Sequence, residues 1–498
     1  MKFTAVSSLL LLPLTAQALP TFSWGKQAKD IPELSLAEWE SIHNPVSGAA
    51  AYAYSKAAEW VGNTEAEDSE LTVWQLLNKD PERYSKITKL IGLIPPAKAV
   101  LDDRAGSLTF FAPENDGIPE PHHPHDGHGG HHGGHHDHDD EDEDEDAAIE
   151  NLAANPSIAN LYQHHIKTGD GHHHHDDDEK KRHRKEAFKF ILSQVLAYHT
   201  LDSPKSAVDL ANNNTVATSL VPHFGANDGQ HLRLRVEKQV VPPSLKLNFY
   251  STVTKPDVKA KNGYLHAVSK PLLPPPSILD AAFLFPSKFS TFTSAIQKVG
   301  GEGAIGYEFS RSESEKAKHP VFVGSPAVTA FVPTNEAFGK LPEKLIFFLF
   351  SPFGEQALRA VLQYHILPHH IVFSEHLHKV SGDHKKRGWI VDEVKTMMDN
   401  DPSFHVEFKL PTLFNKTEVD IVVDKSRVVP VPGAVKTTVT VNGVEASTID
   451  VPALNGATHV IPEVLKPPHH HHDKHTGDLV ESRWENWEDW LVEWAESS

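Results

Sequence analysis

Three short blocks of sequence occur twice in this chain, and both copies follow the same order. The pairs are TFFAPEN at 109–115 with TAFVPTN at 329–335, AYHTL at 197–201 with QYHIL at 363–367, and NGYLHAV at 262–268 with NGATHVI at 455–461. One match could arise by chance, but three in one order indicate a duplicated domain. We therefore expect the chain to fold as two similar domains, each containing all three blocks.

The first block combines a buried-strand pattern with the start of a helix. Residues 329–333 are mostly apolar, and a Pro-Thr-Asn turn follows. Short polar side chains accept hydrogen bonds from the unpaired N–H groups of a first helical turn. We therefore expect Thr334 to cap a helix and Asn335 to support the turn.

These blocks resemble the motifs of the fasciclin-like (FAS1) family. Residues 329–338 are similar to its first motif, Tyr364-His365 to its Tyr-His motif, and 455–461 to its second motif. The resemblance implies a mixed α/β (α+β) fold with two tandem fasciclin-like domains, each a small β-sheet or wedge with packed helices. The first copy carries Glu114 where the family usually has Thr, which affects any ligand surface there more than the fold.

The beginning of the chain has the pattern of a secretory signal peptide. Lys2 supplies the positive charge, Leu9–Leu14 the apolar core and Ala16–Ala18 the small-residue cleavage site. No later stretch is apolar for the roughly 20 residues that a membrane helix needs. We expect a fungal-type protein of the secretory pathway, delivered outside the cell, to the cell wall, or to the vacuole lumen.

The repeats and the composition together predict five segments. They are a signal peptide at 1–18, a helical leader at 19–70, a first domain at 71–276 with a His- and acid-rich insertion at 121–185, a second domain at 277–468, and a His-, Trp- and acid-rich tail at 469–498. Each domain contains all three blocks, so we expect the two to fold independently.

Local patterns predict several further elements. Apolar spacing predicts a helix from Tyr84 to Ile94 that Pro95-Pro96 ends, and another from Ala187 to His199. Residues 300–325 have the composition of a polar insertion. Asn442-Gly443 between alternating valines predicts a hairpin turn.

Composition excludes several classes of function. The chain has no cysteine, so thiolate catalysis and thiolate metal sites are impossible. Its net charge is −20, and no basic patch of the kind that binds nucleic acid is present. No nucleophile elbow, zinc-protease motif or phosphate loop occurs. We therefore predict that the protein is not an enzyme and requires no cofactor.

Tyr364, His365 and Asn335 are the candidate residues for ligand binding or adhesion. One interpretation is that they are core residues with hydrogen-bonded polar ends. The other is that the surface around them contacts an unknown protein or glycan, because the family's adhesion activity is associated with the Tyr-His motif. The residue types alone do not separate the two.

Histidine-rich tracts provide the second candidate site. The nine histidines between 122 and 138 lie among glycines and acids, four more follow at 172–175 and five at 469–475, which makes 18 of the 35 in the chain. The nine are His122, His123, His125, His128, His131, His132, His135, His136 and His138. Neutral imidazole binds zinc and copper. The tracts are either non-selective metal buffers or solvated low-complexity segments.

Two modification sites and one helix complete the predictions. Asn213 and Asn415 lie in acceptor sequences for N-glycosylation. Trp484, Trp487, Leu491 and Trp494 fall on one face of an acidic amphipathic helix, which we expect to dock on its own domain or on a partner. The sequence therefore predicts a non-enzymatic adhesion or matrix-binding module, and the alternative is a metal-buffering protein on a fasciclin scaffold.

Overall fold

A computed structural model describes residues 70–118, 177–239, 244–380, 404–427, 435–467, 484 and 486–497. The predicted signal peptide and nearly all of the leader lie outside these residues. So do the three histidine tracts, including the nine candidate metal ligands at 122–138. Among the described residues, no helix is both long and apolar enough to span a bilayer.

The first repeat begins with three helices, and a strand, a long helix and a run of further strands follow. The helices are α1 (Val73–Lys79), α2 (Pro81–Gly92), α3 (Pro95–Asp102), α4 (Asp177–Tyr198) and α5 (Ala207–Ala211). The strands are β1 (Leu108–Pro113), β2 (Thr200–Leu201), β3 (Thr215–Ala217), β4 (Arg233–Gln239), β5 (Ser244–Leu247), β6 (Ser251–Ala260) and β7 (Gly263–Val268).

Two helix boundaries differ from the sequence prediction. Pro95 follows the end of α2, as expected, but it also begins α3, because the first helical position needs no N–H donor. The helix predicted from Ala187 begins ten residues earlier, at Asp177. The sequence there places acidic residues before basic ones, an order that favours a helix, so the insertion at 121–185 ends earlier than predicted.

The strands of the first repeat form one seven-stranded sheet in the order β2-β1-β7-β6-β5-β4-β3. β1 lies antiparallel to β2 and parallel to β7, and all six of its residues are buried. Successive side chains of a strand point to opposite faces. Phe110 therefore packs with α1 and α2, whereas Phe111 packs with β4 and β5. The strand that contains the first motif, β1, therefore contributes side chains to the core on both faces of the sheet.

The second repeat contains more, shorter elements. Its helices are α6 (Ile278–Leu284), α7 (Pro286–Lys298), α8 (Glu302–Ile305), α9 (Arg311–Ala317), α10 (Asn335–Gly339), α11 (Glu343–Leu349) and α12 (Glu355–Tyr364). Its strands are β8 (Tyr307–Phe309), β9 (Phe322–Gly324), β10 (Val328–Pro333), β11 (Ile366–Pro368), β12 (His370–Phe373), β13 (His376–Lys379), β14 (Phe404–Pro411), β15 (Glu418–Arg427), β16 (Val435–Val441), β17 (Val444–Glu445), β18 (Thr448–Ala453) and β19 (Gly456–Ile461). A last helix, α13, spans Trp487–Glu496.

The centre of the second repeat copies the centre of the first. β10 lies antiparallel to β11 and parallel to β19, as β1 does with β2 and β7. The sheet order is β11-β10-β19-β18, and β14-β15-β16-β17 form a second four-stranded sheet. The predicted hairpin turn at Asn442-Gly443 joins β16 to β17. The mixed α/β architecture expected from the sequence is confirmed.

Phe331 lies at the middle of β10 and is completely buried. We expect Phe331→Ala to lower the free energy of unfolding by about 3–5 kcal/mol, because it leaves a cavity where an aromatic ring was packed. The matched control is Glu336→Ala on the exposed side of α10, which should change stability by less than about 0.5 kcal/mol. Urea denaturation measures both, and equal small shifts of the two midpoints would contradict this placement of Phe331.

Candidate functional site

Asn335 of the first motif joins α10 to the preceding helix α7. Its Oδ1 accepts a hydrogen bond from the N–H of Thr291 at 2.8 Å, and its Nδ2 donates to the carbonyl of Ser287 at 2.9 Å. Thr334 caps α10 as predicted, because its Oγ1 accepts from the N–H of Ala337. Both motif side chains therefore hold a helix start in place.

The first repeat keeps this arrangement in part. Asn115 accepts from the N–H of Lys86 at 2.9 Å and donates to the carbonyl of Glu82 at 2.8 Å. Glu114 makes no cap, and only a short 3-10 turn follows it, at Asn115–Gly117. Its carboxylate lies 3.6 Å from Arg83 instead. The change from Thr to Glu thus replaces a helix cap with an ion pair while the Asn contacts remain.

The Tyr-His pair of the second repeat lies in the interior, with each side chain 1% exposed. The imidazole Nδ1 of His365 contacts the carbonyl of Val361 at 2.7 Å, and its Nε2 accepts from the N–H of Leu465 at 2.9 Å. Burial lowers the pKa of His365 to about 4. The neutral ring therefore connects the end of α12 to the chain that leaves β19.

The tyrosine hydroxyl has a partner that the sequence analysis missed. Asn442 Nδ2 donates to the hydroxyl of Tyr364 at 2.7 Å, and burial raises the pKa of this tyrosine to about 12. In the first repeat, Asn248 makes the same contact with Tyr198 at 2.8 Å. Asn442 was identified only as a turn residue. The shared signal is a positive φ, 46° at Asn442 and 47° at Asn248, which the sequence does not display.

The third block closes each repeat in the same way. Asn455 accepts from the N–H of Ile278 and donates to the carbonyl of Ile305, which joins the first helices of the repeat to its last strand. His459 stacks on Phe331 with 5.6 Å between ring centroids. Burial lowers the pKa of His459, as it does that of His266 in the first repeat. Both histidines are core residues, each 0% exposed.

A comparison with protein families identifies the family to which the two repeats belong. The family model described as Fasciclin domain matches residues 176–274 and 287–467, which together are more than half of the chain. The chain belongs to the fasciclin domain family. The resemblance stated from the three motifs is thus confirmed, and both repeats are fasciclin domains.

Two individual proteins are similar to this fasciclin protein. The aurofusarin biosynthesis cluster protein S of Gibberella zeae is 29% identical over 144 residues, 28% of this chain and 33% of that protein. The chain thus spans about a third of the length of that relative. The solved structure of a FAS1 domain pair from the insect cell adhesion molecule fasciclin I is 15% identical, with a TM-score of 0.27. The match covers 76% of this chain and 96% of that structure.

The C-terminal helix α13 docks on the second fasciclin domain. The Trp494 ring lies 4.1 Å from that of Phe414 and 6.0 Å from that of Tyr364, and Trp487 lies 5.0 Å from Phe348. The helix therefore covers the ring of Tyr364 in the Tyr-His motif. The sequence predicted that this helix docks either on its own domain or on a partner, and these contacts are with its own domain.

Side chains of the two fasciclin domains also pack against each other. Phe224 of the first domain stacks on Phe322 of the second with 4.7 Å between ring centroids. The N–H of Asn227 donates to the carbonyl of Pro326 at 2.7 Å. Phe322 belongs to residues 300–325, which were predicted as a polar insertion. The segment instead folds into α8, α9 and the β8–β9 pair, whose Tyr307 is buried and whose Phe322 stacks on Phe224 of the first domain.

The two predicted glycosylation sites occupy different environments. Asn415 is exposed in the turn before β15, and its Nδ2 donates to the carbonyl of Ser497 beyond α13. Asn213 is half-buried, and Thr215 of its acceptor sequence is 2% exposed and bonded to Arg233. Glycosylation of either asparagine stays a prediction.

The described residues contain no group of three or more His, Asp or Glu side chains placed to hold a metal ion. Metal binding by the histidine tracts stays a prediction, because those tracts lie outside the described residues. Binding of a partner by the surface around Tyr364, His365 and Asn335 also stays a prediction. The structure places these three side chains in hydrogen bonds that maintain the fold.

Proposed function

We propose that this protein is a non-enzymatic binding module of the secretory pathway that attaches to a cell-wall or matrix component. Membership of the fasciclin family and the signal-peptide pattern support this function. The observation that carries it is an aromatic surface on the second domain. Phe347 on α11 is 81% exposed, and Phe353 in the next turn is 90% exposed.

The surroundings of these two rings indicate the chemistry of the partner. Phe348, the neighbour of Phe347, packs on Trp487 at the start of α13. The outer face of α13 carries exposed Glu488, Asp489 and Glu493. Large apolar side chains exposed beside charged groups are typical of interaction surfaces. A protein or glycan partner that offers an apolar face beside a cationic or hydrogen-bonding group fits this surface.

The buried Tyr-His motif helps to hold the elements that carry this aromatic surface. Phe353 precedes α12, and α12 ends in Tyr364 and His365, whose buried contacts fix the helix. Trp494 covers Tyr364, so α13 and its acidic face depend on the same motif. Substitutions at Tyr364 and His365 would therefore impair attachment indirectly, by displacing Phe353 and the acidic face of α13.

We expect the double substitution Phe347→Ser and Phe353→Ser to weaken attachment about tenfold or more, because exposed aromatic anchors dominate such interfaces. The chain should fold normally, since both rings are exposed. Sedimentation of the full chain with isolated host cell walls measures the effect. The control is Val100→Ser, at a 53% exposed position of the first domain. Equal retention of the double variant and the wild type would overturn this surface.

We propose metal buffering as a second candidate function, which rests on the concentration of 18 of the 35 histidines in three tracts. Deletion of residues 122–146 should remove most zinc or copper binding and leave the melting temperature nearly unchanged. Protonation of imidazole should release much of the metal by about pH 5. Isothermal titration at pH 7 tests this, and absence of heat with zinc and copper would remove the hypothesis. Metal sensitivity of cells that carry the deletion would favour buffering over attachment.

A further inference from the structure

A cluster of polar side chains lies where the two fasciclin domains meet, outside the three repeated motifs. From the first domain, Asn214 precedes β3 and Lys238 lies on β4. The Nζ of Lys238 donates to the side-chain Oδ1 of Asn214 at 2.9 Å. The N–H of Val236 bonds the carbonyl of Asn214, so Lys238 is the diagonal neighbour of Asn214 on one face of the strand pair.

The second domain supplies the other side of the cluster. The side-chain Nδ2 of Asn214 donates to Asp450 Oδ2 at 3.3 Å and to Ser374 Oγ at 3.1 Å. Ser374 also donates to Asp450 through its N–H and its hydroxyl. The amide of Asn214 is thus held between an amine on its oxygen and a carboxylate on its nitrogen.

Burial makes this cluster different from a surface ion pair. Asn214 is 3% exposed, and Asp450 and Ser374 are 1% exposed each. Lys238 itself is half-buried. Desolvation lowers its pKa to about 7, the charges of Glu375 and Asp450 raise it, and those of Lys425 and Arg235 lower it. An appreciable fraction of this amine is therefore neutral and nucleophilic at neutral pH.

We propose that Lys238 and Asn214 join in an intramolecular amide bond between their side chains, with Asp450 of the second domain as the proton carrier. The geometry brings together the three groups that such a bond needs: an amine, an amide that can be attacked, and a carboxylate at the leaving nitrogen. No oxidant, metal or cofactor takes part in the reaction.

The reaction balances within these side chains. The lone pair of Lys238 Nζ attacks Cγ of Asn214, and the carbonyl electrons move onto Oδ1. A proton passes from Nζ to Nδ2 through the carboxylate of Asp450. The carbonyl re-forms, the Cγ–Nδ2 bond breaks, and the nitrogen leaves as ammonia. One amide replaces another, so no electron donor or acceptor is required.

The position of Asp450 makes the bond depend on docking of the two domains. The nucleophile and the amide belong to the first domain, whereas the proton carrier and Ser374 belong to the second. Positioned acid–base groups accelerate reactions by about 100-fold or more. We therefore expect the bond to form after the domains have packed, and to fix Asn214 where it contacts both.

Peptide mapping by mass spectrometry tests the proposal on the full folded chain, made in a host without N-glycosylation and held at pH 8. The expected product is a branched peptide that joins residues 214 and 238, lighter than the sum of its two parts by one ammonia. Trypsin should no longer cleave after Lys238. Recovery of both peptides unmodified from the folded wild-type chain would overturn the proposal.

Variants assign the bond to these atoms. Lys238→Arg and Asn214→Ala should each abolish the branched peptide, and Asp450→Asn should leave most of the chain unlinked. Lys246→Arg, on the neighbouring strand β5, is the matched control and should retain the product. Loss of ammonia that persists in both Lys238→Arg and Asn214→Ala would contradict the assignment.

Discussion

Acidification from pH 7 to about pH 4.5 is expected to remove several kcal/mol of folding stability from this protein. The Tyr-His motif buries a histidine in each domain, His199 and His365, and burial lowers the pKa of each from 6.5 to about 4. Each Nε2 accepts a hydrogen bond from a backbone N–H, that of Leu272 or Leu465. A protonated ring cannot accept this bond and would place a charge in the core.

The direction of the effect follows from proton binding in the two states. Between pH 6.5 and 4, the unfolded chain protonates these histidines while the folded chain keeps them neutral. Unfolding therefore takes up protons in this window, and stability falls as the pH falls through it. Each histidine accounts for about 3 kcal/mol, because one pKa unit corresponds to about 1.4 kcal/mol. Above pH 6.5 the two groups contribute no pH dependence.

Urea denaturation between pH 7.5 and pH 4.5 measures this loss. His365→Asn should be less stable than the wild type at pH 7 but should lose less stability on acidification, because one of the buried rings is gone. The exposed His319 provides a control, since His319→Gln should retain the full loss. A wild-type midpoint that is the same at pH 7 and pH 4.5 would refute the argument.

Replacement of Gly456 by alanine is expected to prevent folding of the second domain. The φ of Gly456 is 144°, and an added Cβ would lie 1.8 Å from the carbonyl oxygen of Val328. That oxygen belongs to β10, the parallel partner of β19. Relief of the clash would require the two central strands to separate, at a cost above about 5 kcal/mol.

Gly339 offers a matched control for this substitution. It ends α10, and an added Cβ there would meet nothing within 4 Å. Gly339→Ala should be neutral or stabilising by up to about 1 kcal/mol, because alanine favours the helix. Calorimetry of both variants measures the difference. A Gly456→Ala chain that melts at the wild-type temperature would show that the strands tolerate a side chain at this place.

The sequence predicted those parts of the fold that rest on local chemistry. Thr334 caps its helix, Asn442-Gly443 turns the chain, and the matched blocks occupy equivalent strands because short-range rules govern caps, turns and apolar patterns. The β8–β9 pair was missed because its aromatic residues pack on one another and on Phe224 of the other domain. The amino-acid composition of residues 300–325 alone does not show that another domain packs against them.

The candidate site was predicted less completely. Tyr364 and His365 were identified, but their partners Asn442 and Leu465 are distant in sequence, and only the folded chain brings them together. No sequence pattern indicates the cluster of Lys238, Asn214 and Asp450, because these residues meet only when the two domains pack together. The exposure of Phe347 and Phe353 could not be predicted either, because apolar residues in or beside a helix are normally expected to be buried.

The pairing of the central strands has a consequence for synthesis of the chain. In each domain the motif strand, β1 or β10, takes its parallel neighbour from the end of the same domain. Contacts between such distant residues form slowly, because a long loop must close before they stabilise the fold. A nascent domain therefore exposes an unpaired apolar strand until its last motif has been translated, and that interval is when it is most open to chaperones and to aggregation. A chain that stops before Gly456 lacks the strand that closes its second domain.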